Sequence, residues 1–324
     1  GGGNFQDREN LITDPSSPTV DFLTVQIIMN LTCAQKLKTA VLDIKTAYLN
    51  ADLDEEVYIA IDPECAKIFV KLYPQYAKFI RHNGTLVCQV KKALYGLVQS
   101  SNLWYKHIRS TLESMGFNPD DSIDRCLFKK LNPDGTVAYI LLYVDDLFIA
   151  ASTDVMISDI IKHLTTAYKE LTVQQGKNLN YLGMSFNFHE DNQYVDVSQL
   201  GYAIDILKAK NVTKKAKSPS RRDLLDDPQS DLATPIDSKE FKSDLMKIAY
   251  LSIRTRPDMR FVVGYLATKS CSPTKHDQVC LDHLYAYLNA TKEYSMRISP
   301  SDLSITAYVD ASFAIHKDGM GHTG

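Results

Sequence analysis

Residues 139–150 read YILLYVDDLFIA. Two adjacent carboxylates, Asp145 and Asp146, interrupt a run that is otherwise apolar and aromatic. Burying one unpaired carboxylate is costly, and a carboxylate neighbour adds like-charge repulsion. The flanking segments, AYILLYV and LFIAAS, have the length and composition of strands. They predict an antiparallel hairpin with Val144-Asp145-Asp146 in its tight turn, so that the carboxylates point past the sheet. A divalent cation would offset their repulsion, and Mg²⁺ takes oxygen ligands. Alone, an Asp-Asp pair reads first as a surface turn, since acidic turn pairs are common and short motifs match by chance. A second apolar strand end, Asp43 in VLDIKTAYL, favours the metal reading. Three carboxylates can hold two metal ions, one acting on an attacking oxygen and one on a leaving oxygen.

Outward from this hairpin the chain alternates strands and helices. SSPTVDFLTVQIIMNLTCAQ predicts a helix with Ser17 as N-cap and Pro18 in the first turn. EEVYIAI and TLVCQV read as strands, the first with an exposed face. SNLWYKHIRSTLESMGF reads as an amphipathic helix through Trp104, Ile108, Leu112 and Met115, closed by Gly116. CLFKKL precedes the central hairpin across the turn NPDG. TDVMISDIIKHLTTAYKEL is a helix capped by Thr153 or Asp154. LNYLGMSFNFHEDNQYVDVS reads as a second hairpin, after which Ser198 caps QLGYAIDILKAK. Residues 211–240 are a polar connector, and 241–294 are three helices divided by Pro257 and Pro273. The expected class is α+β, an antiparallel sheet with helices on one face.

The composition is that of an ordinary globular chain: 324 residues, 44% hydrophobic, 23% charged, net charge −3. No run of eighteen apolar residues predicts a membrane span, and GGGNFQDREN has no signal-peptide pattern. The six cysteines form no C-x-x-C pair, which suits a reducing, intracellular compartment. Cys271, His276, Cys280 and His283 have a zinc-like look without a zinc spacing, and packing is the expected role. The balance of charge is uneven. Lys208 to Arg222 carries seven basic residues and no acid, which reads either as a solvated linker or as a phosphate-contacting element.

Several ordered segments carry a family resemblance. YVDD between apolar strands is similar to the central motif of reverse transcriptases. LDIKTAYLNADLDEEVYI, VKKALYGLVQSSNLWY, NYLGMSFNF with VSQLGYAIDIL, YLSIRTRPDMRFVVGYLA and AYVDASFA resemble consecutive segments of copia-type LTR retrotransposon polyproteins. The resemblance implies a right-hand polymerase with an antiparallel palm sheet. It implies partial fingers over 1–40, a palm with finger insertions over 41–198, a thumb-like helix and basic segment over 199–225, a helical connection over 226–300, and a truncated RNase H-like start over 301–324. The implied function is an RNA-directed DNA polymerase that adds dNTPs to a primer 3′-hydroxyl. The contrasting class is a non-catalytic nucleic-acid-binding remnant that keeps the fold.

Site roles follow from the same resemblance. Asp43, Asp145 and Asp146 are the catalytic, metal-holding carboxylates for two Mg²⁺ ions, with Mn²⁺ as a substitute. The backbone carbonyl of Ile44, the ring of Tyr48 as a sugar gate, and Tyr95, Gly96, Gln99 and Val144 line the nucleotide and template. The segment reads QSS where the family has QAP. Tyr181, Leu182 and Gly183 form the primer grip, and Lys91, Lys92, Lys214, Lys215 and Lys217 face phosphates. Implied partners are a primed RNA or DNA template, dNTPs, and a second copy or polyprotein segments such as integrase and RNase H. The implied location is a cytoplasmic virus-like particle or the nucleus. Two departures are noted: GGGNFQ stands where the family has a basic finger strand, and Asp310 matches the first RNase H carboxylate without its later partners, so RNase H activity is not expected.

Overall fold

The computed structural model describes residues 16–226 and 231–300, together with residues 306, 311–312 and 322–323. Asp310 and the first fifteen residues lie outside the described set. Helix α1 (Phe22–Ala34) leads into strand β1 (Lys38–Ile44). The expected cap at Ser17 is not used. Asp21 caps the helix instead, its carboxylate accepting the Leu23 N–H at 2.7 Å. The side chain that can cap is set by where the turn starts, and the buried stripe Val25, Ile28, Met29 fixes that start at Phe22.

A six-stranded sheet forms the centre. Its order is β4 (Asn118–Asp120), β5 (Asp124–Leu131), β6 (Val137–Tyr143), β7 (Asp146–Ala151), β1, β8 (Leu171–Gln175). All neighbouring pairs are antiparallel. Every residue of β6 from Val137 to Leu142 is buried, and so is β7 from Leu147 to Ala151. Strands buried on both faces read as continuous apolar runs rather than alternating ones. The expectation of helices on one face therefore needs a complement. Helices α3 (Ser100–Ser114) and α4 (Asp154–Tyr168) cover one face, with Trp104 and Tyr168 in edge-to-face contact at 5.4 Å. A four-stranded sheet covers the other.

That second sheet has the order β12 (Met296–Ile298), β11 (Val195–Ser198), β10 (Met184–Phe188), β9 (Asn178–Tyr181). It extends the expected hairpin to four strands. Tyr181 and Phe186 reach the central sheet at Phe148, with ring centroids 5.8 and 6.2 Å apart. Ser198 belongs to β11 and caps nothing; helix α5 (Leu200–Ala209) starts after Gln199 without a side-chain cap. A long, mostly exposed hairpin of β2 (Asp52–Ile61) and β3 (Leu86–Lys92) projects from the body, with helix α2 (Pro63–Leu72) at its far end.

Helices α5, α6 (Ser238–Arg254), α7 (Arg260–Thr268) and α8 (Lys275–Thr291) share one core, which also includes Leu224. It spans the segments expected at 199–225 and 226–300. Within it the TRPD sequence has a structural task. The Arg256 side chain is 4% exposed. It forms a two-pronged pair with Asp258 at 3.0 and 2.7 Å and donates to the Thr291 carbonyl at 2.9 Å. Tyr287 donates to the same Asp258 at 2.8 Å. A buried guanidinium is tolerated only when its donors are satisfied this way. Among the described residues no helix is long and apolar enough to cross a membrane.

Candidate active site

The antiparallel register places Asp43 of β1 directly opposite Asp146 of β7. Tyr143 pairs with Asp146 across the hairpin, so Val144 and Asp145 are its two-residue turn. Directly opposed residues share a face of the sheet. Asp43 and Asp146 therefore project together on the side of Val41 and Phe148, and Asp145 sits one residue before Asp146. The Ile44 N–H donates to the Asp145 carbonyl at 3.0 Å, closing the end of β1 onto the turn. Strand pairing thus brings Asp43 to the Asp145–Asp146 pair, about a hundred residues later in the sequence.

Their electrostatics record the crowding. Burial pushes the Asp146 carboxyl up to about 6, with the charges of Asp145 and Asp43 adding to the effect. Burial also raises Asp145, and Asp43 adds to it. Among the described residues one cation answers them: the Lys45 ammonium contacts Asp43 Oδ2. Lys45 is two residues past Asp43 and so shares its face. An all-carboxylate donor set suits a hard divalent cation. In this arrangement no three His, Cys, Asp or Glu side chains among the described residues close to metal-holding distances.

The turn itself is strained. Val144 has φ +56°, a region that costs a non-glycine residue about 1–2 kcal/mol. The chain's single tryptophan holds it there. Trp104 is 1% exposed, and its Nε1–H donates to the Val144 carbonyl at 2.6 Å. Val144 also packs against the central core.

Tyr48 lies in a short turn after β1, with its ring 4.4 Å from that of Tyr95. Burial raises both phenols, with the Asp145 charge contributing to each. The two rings therefore stand beside the carboxylates. Gly96 follows at φ +101°, a conformation open to glycine. Two expected contacts are not offered. Gln99 is fully buried at the start of α3, so its amide is enclosed rather than presented to a template base. Tyr181 is 1% exposed and donates to the Leu141 carbonyl at 3.3 Å, so its hydroxyl is engaged with strand β6 rather than presented to a primer. Leu182 and Gly183 form the β9–β10 turn at φ +52° and +70°, with Gly183 exposed. Lys91 and Lys92 are exposed on β3, and Lys92 pairs with Asp52 at 2.7 Å.

Residues 3–219 match the protein family described as reverse transcriptase (RNA-dependent DNA polymerase). The chain belongs to the reverse transcriptase family. Relatives of this reverse transcriptase chain are retrotransposon proteins. It is 27% identical over 303 residues to the retrovirus-related Pol polyprotein from transposon RE2 of Arabidopsis thaliana, covering 92% of this chain and 19% of that protein. It is 27% identical to the Pol polyprotein from transposon TNT 1-94 of Nicotiana tabacum, covering 92% of this chain and 22% of that one. It is also 27% identical to the putative transposon Ty5-1 protein YCL074W of Saccharomyces cerevisiae, covering 85% and 84%. The chain thus spans about a fifth of the polyproteins from RE2 and TNT 1-94. Among solved structures, an apo telomerase from Candida tropicalis matches with TM-score 0.28 at 10% identity, over 53% of this chain and 39% of that one.

Two residues around this carboxylate cluster carry no sequence signal of their own role. Lys45 is an ordinary lysine until β1 pairs with β7. Trp104 reads as helix core, although a buried indole N–H needs an acceptor and so hints at one. The basic run divides in two. Lys210 pairs with Asp244 at 2.6 Å and Arg221 with Asp223 at 2.7 Å, while Lys214, Lys215 and Lys217 are exposed. The zinc-like set does not assemble. The His276 and His283 rings bond to the carbonyls of Asp223 and Ser218, both at 3.0 Å, and Cys271 is exposed.

Proposed function

We propose that this chain is the polymerase core of a retroelement, an RNA-directed DNA polymerase that adds deoxynucleotides to a primer 3′-hydroxyl. The observation that carries the proposal is the cross-strand pairing of Asp43 with Asp146 beside Asp145 in the turn. Asp43, Asp145 and Asp146 would hold two Mg²⁺ ions, with Mn²⁺ as a substitute. Bound there, the ions would neutralise charge on the attacking and leaving oxygens and on the phosphate. The protein's own part is positioning. Trp104 and the buried strands fix the turn, and a fixed carboxylate pays no reorganisation at the moment of reaction. The Tyr48 ring, backed by Tyr95, stands where a 2′-hydroxyl would meet it and selects deoxynucleotides by bulk. Leu182 and Gly183 present backbone to the primer strand, while Lys91, Lys92 and the exposed lysines Lys214, Lys215 and Lys217 face phosphate. On this reading the central sheet is the palm, the β2–β3 hairpin belongs to the fingers, and α5–α8 form the thumb and connection.

Primer extension on an RNA template with Mg²⁺ tests the proposal. Extension by the parent chain, and its loss in Asp145→Asn with template affinity kept, is the expected outcome. Template binding without extension by the parent chain would instead identify a binding-only remnant of a retroelement protein.

A further inference from the structure

The segment between β2 and β3 has a surface that the catalytic reading leaves unused. Residues 71–79 are all exposed. Four aromatic rings form a continuous chain there: Phe69 to Tyr73 at 5.1 Å, Phe69 to Tyr76 at 5.5 Å, and Tyr76 to Phe79 at 6.3 Å. Tyr73 is 48% exposed, Tyr76 41% and Phe79 55%. Aromatic rings that contact one another usually do so to leave water. These instead keep about half their surface in it.

The charge around them has one sign. Lys67, Lys71, Lys78 and Arg81 lie in the same segment, and none has a carboxylate partner among the described residues. The Lys78 ammonium lies 5.0 Å from the Phe79 ring centre. Of the two acids in this stretch, Asp62 is turned onto the start of α2, accepting the Glu64 and Cys65 N–H groups at 3.0 Å. That leaves Glu64 against four cations. Exposed rings interleaved with unpaired cations match a strand of bases joined by phosphates. They match a second copy of this surface poorly, because the cations would face cations.

We propose that Tyr73, Tyr76 and Phe79, with Lys67, Lys71 and Lys78, form a stacking platform for single-stranded nucleic acid, separate from the carboxylate site. Stacking on a ring needs only a base's π-face, so the platform is expected to be tolerant of sequence. Its position suggests a use. The hairpin is anchored beside the site, where the Ala93 N–H donates to the Ala51 carbonyl at 3.0 Å. From there β2 runs ten residues outward, about 30 Å at the usual rise per residue. At about 3.4 Å per stacked nucleotide, the platform would meet a template strand roughly nine nucleotides ahead of the site. That use as a template holder rests on the polymerase reading; the binding site itself does not.

The test is fluorescence anisotropy of the full chain with a labelled oligo(dT) and with a primer–template whose single-stranded overhang is about 15 nucleotides, long enough to reach the platform at 3.4 Å each. The variant Tyr73→Ala/Tyr76→Ala/Phe79→Ala is expected to bind both at least tenfold more weakly, since each lost stack is worth about a factor of ten. Affinity for flush-ended duplex and the melting temperature should not change. Should that variant misfold, Lys67→Ala/Lys71→Ala/Lys78→Ala gives the second readout. Its affinity should depend less on salt, with the log–log slope reduced by roughly 0.7 per cation removed. Unchanged oligo(dT) affinity, or an unchanged salt slope, overturns the proposal. So does a ring variant that keeps its affinity but turns a dimer into a monomer in sedimentation, because the surface would then be a self-contact. Asp145→Asn keeps the platform intact, so loss of extension there with oligo(dT) binding retained speaks to the polymerase reading and not to this one.

Discussion

Replacing Asp146 by Asn should stabilise this protein at pH 8 while abolishing the primer extension proposed for it. Burial pushes the Asp146 carboxyl up to about 6 from an ordinary 3.8, and repulsion by Asp145 and Asp43 adds to the rise. A carboxyl held about two pH units high stands for about 3 kcal/mol at 1.36 kcal/mol per unit. The group is only half-buried, so solvent screening reduces this to roughly 1–2 kcal/mol. The sign follows from proton counting. Between about pH 4 and 6 the folded chain holds a proton that the unfolded chain has released, so stability falls as pH rises through that window. Above the folded value the full cost is present, and the neutral Asn avoids it. Urea denaturation at pH 8 should therefore show Asp146→Asn more stable by roughly 1–2 kcal/mol, with the gain fading towards pH 4. Added Mg²⁺ should raise the parent's midpoint more than the variant's. A variant less stable than the parent at pH 8, or a gain that persists undiminished at pH 4, would refute the claim that burial, with charge crowding added, sets this site's energetics.

Trp104→Phe keeps most of the buried ring but leaves the Val144 carbonyl without its donor. A part-buried acceptor left unsatisfied costs about 1 kcal/mol, to be read by urea denaturation, and primer extension should fall more than template affinity. Asp258→Ala strands the buried Arg256 guanidinium and should cost about 3–5 kcal/mol, visible as a lowered midpoint in thermal melts. Tyr48→Ala opens the space beside Tyr95; ribonucleotide incorporation relative to deoxynucleotide should rise roughly tenfold or more in single-nucleotide extension.

The central hairpin and β1 were legible because their signals are local: continuous apolar runs, strand length, and a carboxylate at each strand end. Helices α3 and α4 were legible for the same reason, with Gly116 at φ +84° after α3 and Thr153 capping α4 at 3.2 Å. What the sequence did not yield depends on partners far along the chain. Strand β12 joins β11 from a hundred residues away, and no periodicity in either segment announces that pairing. Gln99 and Tyr181 sit in motifs that suggest contact with substrate, yet burial depends on what packs over them, which a single sequence does not display. Ser17 and Ser198 are good capping residues by type. Caps are chosen by where the buried face begins, and that face is set by tertiary packing.

Val144 holds a positive φ in the turn between β6 and β7. A β-branched residue at positive φ is a poor local choice for a two-residue turn, where glycine or asparagine would cost less. The turn is kept in that state by groups outside it: the Trp104 donor from α3, the Ile44 N–H on the Asp145 carbonyl, and the buried flanks of β6 and β7. Each of these restrains the backbone, and none of them neutralises the carboxylates. The site therefore keeps its geometry and its charge repulsion in separate parts of the structure. These restraints aim Asp43, Asp145 and Asp146 at one another, and on the proposed reading a bound cation would relieve the repulsion that remains. This explains why a stretch that is locally inconsistent as a core strand and as a turn is consistent as the rigid end of a binding site.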